Sequence, residues 1–196
     1  MPRRWVVLAI LGALLCGVQA VWGAPRSTGY RIKGSTIIEG SSIVLPPGVP
    51  LGQYRRIFQP FPNWTLVCDE NLKARQQVCN VSQAVIDARG KQVFSWSLAA
   101  GEDGRPSFIL RTLPDADTRA GIEIQPEKGG EPVRIPFTGC NQKLCLGTTP
   151  IVGVLSAAIE QGVSVTVTYR THSGESRTYT LPLKGLNEAV SSISQR

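Results

Sequence analysis

Between Val163 and Arg170 apolar and polar residues alternate without a break. Val163, Val165, Val167 and Tyr169 fall on one side of an extended chain, and Ser164, Thr166, Thr168 and Arg170 on the other. A strand of this kind buries one face and wets the other, as in an antiparallel β-sandwich or small barrel. Similar runs recur from Trp64 onward: WTLVC, QVCNVSQAVI, KQVFSWSLA, SFILRTL, AGIEIQ, VRIPF and RTYTLPL, all rich in β-branched or aromatic residues. Between them DARG, GEDGRP, EKGGEP and HSGES supply the glycine, proline, Asp and Ser of turns, and HSGE predicts a hairpin. The expected fold is all-β.

The period changes in TTPIVGVLSAAIEQG. Thr149 reads as an N-cap, Pro150 as the first helical residue, Val152, Leu155 and Ile159 as an inner stripe and Gly162 as the stop. This short helix is expected to cover an open end of the sheets, and LNEAVSSIS predicts a second short helix near the C-terminus. Residues 21–57 differ from the rest. Pro46, Pro47 and Pro50 crowd IVLPPGVPLG, and Pro25, Pro60 and Pro62 flank it, which favours an extended, linker-like arm. Within it YRIKGSTIIEG predicts one edge strand. The β domain is then expected over 58–192, with a tail at 193–196.

The first residues, MPRRWVVLAILGALLCGVQAVWGAPRS, carry two arginines, an uncharged run from Trp5 to Val18 and small residues at Val18 and Ala20. This is the pattern of a secretory signal peptide over 1–20, with cleavage after Ala20 or, alternatively, Gly23. Its apolar run is shorter than the roughly 20 residues that cross a bilayer, and no later segment reaches that length. The expectation is an exported chain without a transmembrane segment after signal cleavage. Losing Arg3 and Arg4 lowers the formal charge from +7 to +5. The surplus favours anionic partners, yet it is spread out; Arg55-Arg56 and Lys73/Arg75 are its densest spots and read as solvated faces. No nucleic-acid-binding motif accompanies it.

Export changes the meaning of the cysteines. Cys16 leaves with the signal, and Cys68, Cys79, Cys140 and Cys145 remain, an even number that points to two disulfides with three possible connectivities. Closeness in sequence favours Cys68 with Cys79 and Cys140 with Cys145. A four-thiolate zinc site is disfavoured because one pair is separated by ten residues and because oxidation competes outside the cytoplasm. Redox cycling would need two intervening residues at a helix N-terminus, and neither pair has that setting.

FPNWTLVCDE, QQVCNVSQAV, GKQVFSWSL, FTGCNQKLCLG and LPLKGLNEAV, in that order, resemble the landmarks of the invasion-associated locus B family of exported bacterial proteins. They include Trp64 before Cys68, Gln83 four residues after Cys79, a glycine-flanked cysteine pair and an L-K-G ahead of a short helix. The resemblance spans about residues 58–192. It implies an all-β domain in the bacterial envelope or secreted, linked in some pathogens to host-cell invasion or adhesion, without an established catalytic activity. Two departures qualify it: the arm lies outside the resemblance, and LRTLPDADTRAGIEI keeps only the LP of a more hydrophobic, glycine-containing segment.

No catalytic constellation can be assembled from the residues. His172, the only histidine, stands beside Ser173 in a turn, whereas nucleophile, base and orienting group must converge in space. Asp69-Glu70, Glu102-Asp103 and Asp115/Asp117 are expected in loops, and DADTRAG lacks the ligand pattern of a calcium loop. The sequons Asn63-Trp64-Thr65 and Asn80-Val81-Ser82 are expected in strands, where glycosylation has no place. Trp64 and Trp96 read as core aromatics. The sequence therefore predicts a non-enzymatic module without a cofactor or metal, binding a protein or an envelope surface. The alternatives are a periplasmic accessory or assembly factor acting through a sheet edge or the arm, and a hydrolase whose site the sequence does not reveal.

Overall fold

The computed structural model describes residues 30–32, 53–100 and 105–193. The expected signal peptide, most of the arm, Glu102, Asp103 and residues 194–196 lie outside the described residues. Strands β1 (Tyr30–Ile32), β2 (Tyr54–Phe61), β3 (Trp64–Asn71), β4 (Gln76–Asp87), β5 (Gln92–Ala100), β6 (Pro106–Thr112), β7 (Ile122–Pro126), β8 (Val133–Ile135), β9 (Phe137–Cys140) and β10 (Cys145–Pro150) precede helix α1 (Val154–Glu160). Strands β11 (Ser164–Arg170) and β12 (Ser176–Pro182) and helix α2 (Leu186–Ser191) follow.

The strands form two antiparallel sheets of a sandwich. One runs β2-β3-β4-β5-β6-β10-β9, with β1 added beside the far end of β4; the other runs β12-β11-β7-β8. Alternation dictates which residues meet between them. Trp64 and Leu66 of β3, Val81 and Val85 of β4, Phe94 and Trp96 of β5, and Phe108 and Leu110 of β6 turn inward from the large sheet. Ile122 and Ile124, Val165, Val167 and Tyr169, and Tyr179 and Leu181 answer from the small one. The alternation read in VSVTVTYR is thus the burial pattern observed in β11. Trp96 stacks on Phe108 at 4.5 Å and on Trp64 at 5.5 Å, and Phe94 meets Tyr179 of the opposite sheet at 5.5 Å. Each such side chain contributes roughly 1.5–3 kcal/mol through burial. Gly147 of β10 lets the small sheet close on this core, because a Cβ there would stand 3.1 Å from Ile122 Cδ1 and 3.3 Å from Ile135 Cγ2.

Two expectations shift. Helix α1 begins at Val154 with Gly153, at φ 54°, in the N-cap position, while Thr149 and Pro150 continue β10 opposite Phe108 and Ser107 of β6. The ladder to β6 outweighs the local capping signal, and Pro150 is tolerated because it closes the strand. Val152 accordingly stays outside the helix and exposed, whereas Leu155 and Ala158 are buried. Gly162, at φ 61°, does end the helix. Its N–H donates to Ile159 O, and that of Val163 donates to Ala158 O, the paired bonds of a Schellman stop.

The second shift is β2, which starts at Tyr54 inside the segment read as arm and pairs along all of β3. Leu72 N–H donates to Gln53 O at 2.8 Å, which fixes the ladder's phase. Odd-numbered residues of β2 turn their backbone groups to β3; even-numbered ones, Pro60 among them, turn outward. Pro60 therefore costs the ladder no donor, and the proline that argued against a strand is an edge feature.

Candidate functional site

The cysteines come first because they frame the surface. Cys68 is bonded to Cys79 and Cys140 to Cys145. Both bridges join residues directly opposite in register, Cys68 with Cys79 across β3 and β4 and Cys140 with Cys145 across β9 and β10. Each therefore pins a hairpin against slippage, and a one-residue slip would turn every inward side chain outward. Between the second pair, the side-chain oxygen of Asn141 accepts from the N–H groups of Lys143 and Leu144 at 2.8 and 3.0 Å. The tip is thus a fixed turn, with Asn141, Gln142 and Lys143 exposed.

A polar side chain in apolar phase ties the sheets together. Along β4 the inward positions are Cys79, Val81, Gln83 and Val85, and Gln83 is only 3% exposed. Its Nε2 donates to Asn63 O at 3.1 Å and Pro182 O at 3.0 Å, while its Oε1 accepts from Trp96 Nε1 at 3.0 Å. One amide thus joins the β2–β3 turn, the end of β12 and the central tryptophan. Asn63 belongs to that turn, at φ 64°, rather than to a strand as the sequon reading expected, and its side chain donates to Lys184 O at 3.3 Å. Beside it lies Gly185, the glycine of L-K-G, at φ 95°; a Cβ there would come within 2.1 Å of Pro62 O. Asn80 does lie in β4, exposed.

The residues weighed and set aside for catalysis are dispersed. His172 is exposed in the β11–β12 turn, where its backbone N–H donates to Asp115 O at 2.8 Å and the Ser173 hydroxyl pairs with that of Thr171. Asp69 and Glu70 are not in a loop. They lie in β3 opposite Arg56 and Arg55 and form ion pairs with them at 2.5 and 2.6 Å, so these arginines are partnered rather than merely solvated. The hydrogen bond from Arg56 holds the Asp69 carboxyl below its ordinary range, against an opposing effect of burial. Asp115 pairs with Arg177 at 2.6 Å, and Asp117 with Arg119 at 3.2 Å, which lowers the Asp117 carboxyl. Trp64 and Trp96 are fully buried. Among the described residues no group of three or more His, Cys, Asp or Glu is placed to hold a metal ion.

What the surface does offer is strand edge. Among the described residues β2, β9, β12 and β8 end the two sheet paths, and β1, three residues long, adds a short edge beside β4. The β2 edge carries Pro60 and the Arg55 and Arg56 pairs; β8 spans three residues between Pro132 and Pro136; β9 spans four and is interrupted by a bulge opposite Leu146 and Gly147. These are devices that blunt an edge. On β12 they are missing from the middle of the strand. Leu183 N–H donates to Val163 O and Thr171 N–H to Glu175 O, so odd-numbered residues of β12 face β11 and even-numbered ones face out. The outward carbonyl of Pro182 meets Gln83, whereas the backbone N–H and C=O of Thr178 and Thr180 have no strand partner among the described residues. They border a cleft of about 340 Å³, walled opposite by Tyr30, Arg31, Ile32 and Val85. Tyr30 meets Tyr179 edge-on at 5.0 Å. Sequence reading placed a strand at SRTYTLPL but not its bare side, since edge position follows from sheet order rather than from composition.

A family model described as "Invasion associated locus B (IalB) protein" matches residues 64–194. The crystal structure of invasion associated protein B from Bartonella henselae is similar with a TM-score of 0.60 at 14% identity, covering 71% of this chain and 99% of that one. No curated protein matches the chain.

Proposed function

The chain belongs to the invasion associated locus B family, and from that premise we propose that it is an exported, non-enzymatic binding module of a bacterial envelope, serving host-cell invasion or adhesion by holding a protein partner. Supporting export are the Arg-flanked apolar leader and the two disulfides, which persist in oxidising compartments. The observation that carries the binding reading is the bare middle of β12. Its outward backbone groups at Thr178 and Thr180 can add an extended segment as a further strand, with the ladder giving affinity and the Tyr30–Ile32 cleft giving selectivity.

The test is partner capture by tagged mature protein from its own envelope, with Thr178→Pro beside wild type. Thr178 turns its N–H away from β11, so proline there blocks the edge while leaving the β11 ladder intact. Loss of a specific partner at an unchanged melting temperature is the expected result; the same partner retained by the variant refutes the edge reading. Fractionation separates the two roles: surface or medium accords with adhesion, and confinement to the periplasm with an accessory factor.

A further inference from the structure

We infer that the outer face of the four-stranded sheet carries a binding site for an acidic saccharide, away from the edge used above. The site starts from a forced glycine. Gly121 precedes β7 at φ 74°, and a Cβ on it would meet Ile135 O at 2.9 Å, so only glycine fits. Beside it opens a hollow of about 400 Å³ lined by Gly121, Glu123, Arg134, Thr168, Arg170 and Ser176, among others. That volume lies in the range of small-ligand sites.

Cross-strand register assembles the walls. Arg134, Glu123 and Thr168 form one row across β8, β7 and β11, and Arg170 stands opposite Ser176 in the next. Arg134 lies 3.5 Å from Glu123, whereas the Arg170 guanidinium has no ion pair among the described residues. Two guanidinium groups against one carboxylate leave the hollow one positive charge in excess, complementary to a single anionic group. Arginine presents a planar fork that matches a carboxylate or sulfate. Glu123 adds the discriminating element. A bare anion is repelled by it, but a sugar acid brings hydroxyl groups that donate to a carboxylate while its own anion meets Arg170. The Ser176 hydroxyl both donates and accepts, and that of Thr168, paired with Thr178 Oγ1 at 3.1 Å, keeps a lone pair for a second partner, which suits a polyhydroxylated ring.

The experiment titrates the full chain with oligogalacturonate, each ring of which carries one carboxylate and free hydroxyls. Neutral dextran, inorganic phosphate and phosphatidylglycerol vesicles are run beside it at physiological salt. Arg170→Gln and Glu123→Gln are compared with Arg89→Gln, which removes an exposed charge from the β4–β5 turn. The expected result is binding of oligogalacturonate but not dextran, weakened about tenfold or more by Arg170→Gln, weakened also by Glu123→Gln and unchanged by Arg89→Gln. Equal losses from Arg170→Gln and Arg89→Gln would leave only long-range charge and overturn the site. So would absence of saccharide binding, or phosphate or vesicle binding that Glu123→Gln strengthens.

Discussion

Replacing Gln83 with methionine preserves the length of the side chain and removes its hydrogen bonds. In the native protein its amide makes three: to Asn63 O at 3.1 Å, to Pro182 O at 3.0 Å and from Trp96 Nε1 at 3.0 Å. Gln83 is 3% exposed, so its partners lose their bonds where water has little access. A buried polar group left unsatisfied costs about 1–3 kcal/mol. The two carbonyls belong to a turn and a strand end that can relax toward solvent, whereas the indole N–H of fully buried Trp96 cannot. The expected loss is therefore about 3–5 kcal/mol, the lower part of a simple sum over three groups. Against a total stability of about 5–15 kcal/mol this is large. Urea unfolding followed by tryptophan fluorescence measures it. Gln83→Glu supplies a second readout. Its carboxylate still accepts from Trp96 but opposes two carbonyl oxygens, so burial and repulsion raise its pKa above the unfolded value. Its stability should be recovered as pH falls through that raised pKa and lost as pH rises, while the Gln83→Met deficit stays constant. A Gln83→Met protein within about 0.5 kcal/mol of wild type would show that the amide is not the tie between the sheets.

Gly185→Ala should cost about 2 kcal/mol or more, against about 1 for Gly90→Ala. Both glycines have positive φ, but a Cβ at Gly90 meets nothing within 4 Å and one at Gly185 runs into Pro62, so equal losses would refute the steric argument. The mature protein, by mass spectrometry, should weigh four hydrogens less than its reduced form; a free thiol or bound zinc refutes the two bridges. Breaking Cys68–Cys79 by Cys79→Ser should lower the urea-derived stability by roughly 2–3 kcal/mol on the loop-entropy account, and an unchanged value contradicts it. Asp69→Asn should cost about 0.3–1 kcal/mol near pH 7, since the half-buried ion pair is still reached by solvent. Arg56 depresses the folded pKa of Asp69, so this contribution exists above the ordinary carboxylate value and fades as pH falls through the depressed one. Acid unfolding curves of wild type and Asp69→Asn should therefore converge once pH has fallen through that depressed pKa; a constant gap says that the lost stability is not the carboxylate's charge.

The periods of the sequence carried the strands because tertiary packing and local pattern agree in most of them: Val163 to Tyr169 alternate in the sequence and in burial. Where they disagree the reading failed for identifiable reasons. Thr149-Pro150 carries a capping signal, yet the partners that claim it are Phe108 and Ser107 of β6, far earlier in the chain and invisible to a local rule. Pro60 suppresses β2 in the sequence because proline is judged against a central strand, and β2 is an edge. Gln83 was legible in retrospect as a strongly polar residue in the inward phase of β4 flanked on that phase by Val81 and Val85. A polar residue in apolar phase calls for a buried partner set, and Trp96, Asn63 and Pro182 supply it. The candidate sites were not legible, because the β12 edge follows from sheet order and the Gly121 hollow from register across β8, β7 and β11.

The residues that carry the family resemblance divide from those that can touch a partner. Trp64 and Cys68 lie in the core, Gln83 ties the sheets, Gly147 admits the small sheet to the large one, and Gly185 admits the β2–β3 turn to α2. Each position allows no easy substitute for a packing or backbone reason, and none of these side chains reaches solvent with a free polar group. Membership thus follows from the scaffold, and two members sharing every landmark can bind different things. The positions that would differ are those the scaffold leaves unconstrained: Thr178 and Thr180 at the bare edge, and Arg134 and Arg170 around the hollow. Specificity within this fold should accordingly change with substitutions at β8, β11 and β12 that leave the melting temperature alone, while substitutions at the landmarks should lower stability and binding together.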